Sequence, residues 1–291
     1  MQVVLGFDME TDIGSWTPFY EGLVHGTPVI LDILERRGVT ATFFFTGDGA
    51  RKHPETVRQV LERGHEIGAH TLFHETIGDS LFDIPGMMPI LPHEVAERLR
   101  LCTDWIEEVA GVRPVSFRCP RLFGSTAVVN ALDSLGYVAD ATYPMYYFRE
   151  RLRPYHPSRE DWTQEGDLRI VELPAFADLS MESKDPYGRD MDQWPLFRTE
   201  GAQALMRHID GFAGYCQERG VEPFLCFYFH PWEFHPMPQG EISYGEGSVR
   251  PDPFIVKNCG PRAADELDRV IETLLKRGAQ FLQAHQAAKE T

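Results

Sequence analysis

No C-x-x-C pair occurs among the 291 residues, and the five cysteines, Cys102, Cys119, Cys216, Cys226 and Cys259, are odd in number and widely scattered. That excludes a disulfide framework and a cysteine-ligated metal site, and it fits a reducing compartment. No apolar run approaches the ~20 residues of a membrane span. The amino terminus, Met1-Gln2-Val3-Val4-Leu5-Gly6-Phe7-Asp8, has no basic region and reaches a carboxylate too early for a signal peptide, so a cytoplasmic protein with no membrane partner is expected. Cationic charge is scarce as well. The 28 Lys and Arg stand against 44 Asp and Glu, a formal net charge of −16, whereas non-specific nucleic-acid binding depends on neutralising phosphates, so no nucleic-acid partner is expected. Repeats, low-complexity tracts and dividing linkers are missing too. With 43% hydrophobic residues the chain can bury a full core, and a single domain over residues 1–291 is the expectation.

What is present is alternation. Gln2 to Phe7 is an apolar run ending in charge, the pattern of a buried strand that delivers its last side chains to a rim. After a loop through Gly14, Trp16 and Pro18, Thr27 and Pro28 read as the cap and first turn of a helix that Gly38 closes. Val39 to Thr46 is β-branched and aromatic, hence a strand, followed by a helix from Pro54 to Arg63 and a short strand from Glu66 to Ala69. A helix from about Pro92 to Val109, a strand Val115 to Phe117, a helix capped by Ser125 and stopped by Gly136, and a strand Tyr137 to Ala139 come next. Then follow Arg169 to Leu173, a helix from about Glu200 to Arg219, the apolar strand Phe224 to Phe229, a helix Pro261 to Lys276 and a strand Ala279 to Leu282. Roughly seven strand–helix alternations predict a parallel α/β sheet or β/α barrel. The stretches Asp178 to Trp194 and Pro231 to Gly260 read as rim loops. Met181, Tyr187, Met191 and Trp194 are candidates for a lid or a subunit contact, which leaves a homo-oligomer open.

Asp8, His70, Arg118, Asp140 and His230 each fall just after a predicted strand. In a barrel those ends open on one face, where catalytic groups gather. His70 and His74 are four apart, a spacing that on a helical turn puts both rings on one side. Two neutral imidazoles and one carboxylate from Asp8-Met9-Glu10-Thr11-Asp12 leave open positions on a cation, the layout of a hydrolytic zinc site. The plainer readings are solvated turn residues for the carboxylates and a satisfied core histidine for His230. His65 and Glu66 read as structural, because strand alternation turns His65 away from His70.

With these residues assembled, the chain resembles the polysaccharide deacetylase superfamily, the NodB-homology group of metal-dependent amidases, and more its intracellular branch than its secreted one. The resemblance runs from Phe7 to about Leu282 and rests on Thr27-Pro28-Val29-Ile30-Leu31, Ala41-Thr42-Phe43-Phe44-Phe45-Thr46-Gly47, His53-Pro54-Glu55, Gly64-His65-Glu66-Ile67-Gly68-Ala69-His70 with His74, Phe117-Arg118-Cys119-Pro120, Tyr137-Val138-Ala139-Asp140 and Phe229-His230-Pro231-Trp232-Glu233. It implies a distorted seven- or eight-stranded β/α barrel holding one divalent metal, usually Zn2+. It implies Asp8 as catalytic base, His70 and His74 as ligands, Arg118 as the residue that orients Asp8, and His230 as acid. Two departures matter. Where many members have adjacent aspartates this chain has Asp8-Met9-Glu10; skipping one residue keeps both side chains on one side of an extended strand, so Glu10 is the ligand candidate and Asp12 its competitor. Arg121 stands where the family has an aromatic residue.

The chemistry so implied is metal-assisted amide hydrolysis, with the backbone N–H of Arg121 as oxyanion donor and His230 protonating the departing nitrogen. Asp140, Trp232 and Glu233 are supporting candidates. The expected function is N-deacylation of an amino sugar or related metabolite, with a small-molecule or saccharide substrate. The alternatives are ring opening of a cyclic imide or ureide and a catalytically silent metal or carbohydrate binder.

Overall fold

The computed structural model of the protein describes residues 1–84 and 86–291. Eight parallel strands form one curled sheet: β1 (Gln2–Met9), β2 (Thr42–Phe45), β3 (Glu66–Ala69), β4 (Ser116–Phe117), β5 (Ala139–Asp140), β6 (Val171–Glu172), β7 (Phe224–Phe229) and, after the small antiparallel pair β8 (Ile242–Ser243) and β9 (Ser248–Val249), β10 (Gln280–Leu282). The strands run in order from β1 to β6, with helices between most of them. β7 pairs with β1 from Gln2 to Phe7, which leaves β1's other edge to β2 opposite Gly6–Met9 and to β10 opposite Gln2–Val4. Beyond β6 the chain returns to β7, where the Phe176 N–H donates to the Cys226 carbonyl at 2.8 Å, so the curl comes round almost to a barrel. This is the parallel β/α arrangement expected from the alternation, curled into the distorted barrel that the resemblance implies. Among the described residues no helix is long and apolar enough to cross a membrane, and all five cysteines are free thiols.

β1 and β7 are central and buried on both faces, which is why they read as nearly unbroken apolar runs. Phe7 of β1 packs on Phe43 of β2 at 5.0 Å and on Phe229 of β7 at 5.8 Å between ring centroids. Burying one such ring contributes about 1.5–3 kcal/mol, so this seam ties β1 and β7, two of the strands whose ends carry the site, to β2.

The helix expected from Thr27 starts six residues earlier and spans Glu21–Arg37, with Pro28 inside it. The local cap signal lost to a tertiary one: the Asp12 carboxylate accepts the N–H groups of Gly22 at 2.8 Å and Glu21 at 3.1 Å. Thr27 Oγ1 instead donates to the Leu23 carbonyl within the helix. This helix lies against the 3-10 turn Pro231–Phe234, and only glycine permits the approach, since a Cβ on Gly26 would stand 2.0 Å from the Pro231 carbonyl oxygen. Residues 70–74 form no helical turn. Thr71 and His74 take left-handed φ values of 63° and 62°, and that tight turn, rather than helical spacing, brings the two imidazoles together.

Candidate active site

The ends of β1, β3, β4 and β7 place Asp8, His70, Arg118 and His230 on one rim of the sheet. Past the end of β1, Glu10 is 1% exposed. Its Oε2 lies 3.6 Å from His70 Nε2 and in close contact with His74 Nε2. One ligand atom from each of Glu10, His70 and His74 falls within 4.8 Å of the others. Asp8 and Glu10 both line the pocket while Met9 between them is buried in the core, as strand alternation requires.

The protonation pattern suits a cation. His70 Nδ1 donates to the Arg118 carbonyl at 2.7 Å, so its Nε2 offers a lone pair toward Glu10. Burial pushes the His74 imidazole down to about 4, against the pull of Glu10, and so keeps it neutral at pH 7. Burial would raise Glu10, but the neighbouring imidazoles hold its carboxyl well below the usual range. His70 Nε2 and both Glu10 oxygens are buried with no well-formed hydrogen bond. Such orphaned acceptors are costly unless something else satisfies them, and one carboxylate with two neutral imidazoles is a set suited to Zn2+ or a similar divalent ion. Asp12, the competing ligand, is occupied by the helix start described above and stands outside this cluster.

Arg118 is completely buried. Its Nη1 donates to Asp8 Oδ1 at 2.9 Å, its Nε to the Ala141 carbonyl at 2.9 Å and its Nη2 to the Phe227 carbonyl at 3.2 Å. The guanidinium crosses β1 where Gly6 has no side chain; a Cβ there would be 2.2 Å from Nη1. His230 Nδ1 meets Glu233 Oε1 at 3.0 Å, the same oxygen accepts the His230 N–H at 3.0 Å, and Trp232 stacks on the ring. Burial opposes charge on His230, but the hydrogen bond to Glu233 and the negative charges of Glu10, Glu233 and Asp8 together raise its pKa above the ordinary value. Glu233 Oε2 in turn accepts Arg198 Nε at 2.6 Å, a contact that no local motif signals because Arg198 lies in a short helix far away in sequence.

Asp140 does not bond backbone amides. Its Oδ1 takes the Thr142 hydroxyl, and the amides of Thr142 and Tyr143 go to Glu172, the adjacent carboxylate on β6. Burial raises Asp140 to about 7. Arg121 and Leu122 have φ values of 60° and 61°, so the turn after β4 is strained beside the site. The Arg121 side chain reaches back, with Nη1 3.1 Å from His74 Nδ1.

Asp8, Glu10, His70, His74, Arg121 and His230 line an open pocket of about 730 Å3. The two irregular stretches build much of its wall: Trp194 faces it, Met191 is buried in the core, and Tyr187 packs on Phe82 at 4.9 Å.

A curled parallel sheet with a carboxylate and two imidazoles at one set of strand ends defines a NodB-type barrel. A family model described as polysaccharide deacetylase matches residues 3–139, and over that stretch the chain is similar to the polysaccharide deacetylases. A peptidoglycan-N-acetylglucosamine deacetylase of Bacillus cereus is 29% identical over 145 residues, 50% of this chain and 58% of that protein. The chain spans about half the length of the curated relatives it matches. Among solved structures, a polysaccharide-deacetylase-type protein of Mycobacterium smegmatis superposes with a TM-score of 0.65 at 21% identity, covering 99% of this chain and 89% of that one. A family 4 acetyl xylan esterase of Clostridium thermocellum, in complex with a cobalt ion, gives 0.52 at 18% identity over 100% of this chain and 91% of that one. Both likenesses concern the fold. Nothing in these comparisons supports the cyclic imide or ureide alternative.

Proposed function

We propose that the protein is a metal-dependent hydrolase of carbon–nitrogen amide bonds that removes an acyl group from an amino sugar or related metabolite. The observation that carries this reading is the buried Glu10, His70 and His74 cluster with unsatisfied acceptor atoms, facing the same pocket as Asp8 and His230. Those three residues would hold one divalent ion, with Zn2+ best matched to the donor set. Such an ion supplies Lewis acidity toward a water and an amide carbonyl. Asp8, aimed by Arg118, takes the proton from the attacking water. The backbone N–H of Arg121 donates to the carbonyl oxygen as charge develops there. His230, kept protonated with the help of Glu233, delivers a proton to the leaving nitrogen, so the products are a carboxylate and an amine. A pair of proton-handling groups side by side at the ends of the paired strands β1 and β7, Asp8 and His230, is what distinguishes this reading from a silent binder. The free thiols and the acidic surface fit a cytoplasmic setting.

The test is acetate release from N-acetylated amino sugars by protein loaded with Zn2+ or Co2+, compared with Asp8→Asn. Turnover that survives Asp8→Asn unchanged, or its absence from the loaded wild type on every amide offered, refutes the proposal.

A further inference from the structure

The pocket is concave and open to solvent. Its wall is built by the loops after β1, β3, β4, β6 and β7, represented by Trp16, Phe82, Leu122, Trp194 and Ile255. The two long segments are pinned from behind: Gln193 Nε2 donates to the Tyr228 carbonyl and Tyr228 Oη to Asp192 Oδ2, each at 2.7 Å, and Arg198 Nη2 donates to the Ile255 carbonyl at 2.6 Å. A concave site of about 730 Å3 has room for a single small metabolite.

Three arginines reach this pocket, and two are neutralised by the protein. Arg189 pairs with Asp192 at 3.2 Å, and Arg250 with Glu241 at 3.4 Å. Among the described residues Arg121 has no carboxylate within ion-pair reach; its Nη1 lies 3.1 Å from His74 Nδ1 and donates to the His74 carbonyl at 3.4 Å. That leaves Nε and Nη2 of a planar donor fork, suited to a carboxylate or phosphate, without a protein acceptor.

We infer that the substrate is a discrete amide carrying an anionic group, carboxylate or phosphate, which the Arg121 guanidinium receives beside the reacting centre. The inference rests on the amide-hydrolase reading and narrows its substrate. Neutral saccharides leave Arg121 unmatched.

The experiment measures kcat/KM of the Zn2+-loaded enzyme on N-acetylglucosamine, its 6-phosphate, N-acetylmuramic acid and tetra-N-acetylchitotetraose. At least one anionic sugar should exceed the neutral monosaccharide by about ten- to a hundredfold, the worth of a hydrogen bond to a charged group. The phosphate and the acid tell which anion is meant. Arg121→Gln should collapse that ratio, and Arg121→Lys, which also serves if the glutamine variant fails to fold, should keep part of it. Equal or better cleavage of the neutral sugar or the tetramer overturns this inference and leaves the hydrolase intact. An equal loss on all substrates in Arg121→Gln also overturns it, because the arginine then only positions His74. If no amide is cleaved the parent reading fails, and calorimetry with the metal-free protein decides: tighter binding of an anionic sugar, lost in Arg121→Gln, supports the anion site, and equal binding overturns it.

Discussion

Replacing Glu233 by glutamine probes the proposed acid without touching the metal cluster. Glu233 is fully buried and serves both His230, through Oε1, and Arg198, through Oε2 at 2.6 Å. Glutamine keeps the shape and one acceptor but sets an amide donor against a donor on one side and removes the negative charge from both. Arg198 has no exposed side-chain surface, so it loses its only carboxylate partner in the interior, and breaking such a pair costs about 3–5 kcal/mol. The arginine retains its bonds to the carbonyls of Ile255 and Lys257, which places the expected loss near the lower end of that range. On the chemistry, the sign follows from what opposes charge on His230. Burial disfavours the imidazolium and Glu233 is among the groups that override it, so without Glu233 the pKa moves down. An acid must be protonated to act, so the alkaline limb of the kcat/KM profile should move to lower pH, and activity at pH 8 should fall by about 10²–10⁴. The assay is the pH profile of amide cleavage alongside a melting curve. An unmoved alkaline limb in a folded variant would refute His230 as the proton donor.

Asp8→Asn should lower kcat by about 10²–10⁴ with little change in KM, read by steady-state kinetics. Gly6→Ala drives a methyl into the Arg118 guanidinium and should cost about 1–3 kcal/mol in denaturant unfolding while reducing activity, because Asp8 loses its orienting partner. Asp140, raised to about 7 by burial, binds a proton in the folded state that the unfolded chain releases near its ordinary value of about 4. The folded state therefore holds more protons between those limits, and stability should fall as pH rises from about 4 to 7; Asp140→Asn should flatten that slope in melting temperature.

Much of the barrel was legible because its central strands are buried on both faces and its helices end in glycine. Glu66–Ala69, Phe224–Phe229 and Pro261–Lys276 fall where periodicity put them. The start of the helix at Glu21 was not legible, since its cap is Asp12 and no local rule connects the two. Placing His70 and His74 on a helical turn reached the right neighbourhood for the wrong reason: two left-handed residues make the approach. For the site, rim positions could be read from strand ends, so Asp8, Glu10, His70, Arg118 and His230 were identifiable in advance. Glu233 stood out only as a pocket candidate, and its partner Arg198 not at all, because a buried ion pair 35 residues apart has no period to betray it. Glu172, which takes the Thr142 and Tyr143 amides beside Asp140, belongs to the same kind of contact.

The central claim is that Glu10, His70 and His74 hold a single divalent ion, and elemental analysis of chelator-stripped protein titrated with Zn2+ tests it most directly. The account predicts one tightly held ion per chain in the wild type and none in the His70→Ala and Glu10→Ala variants, each checked for folding by circular dichroism. A folded double variant that still retains one ion per chain would contradict it.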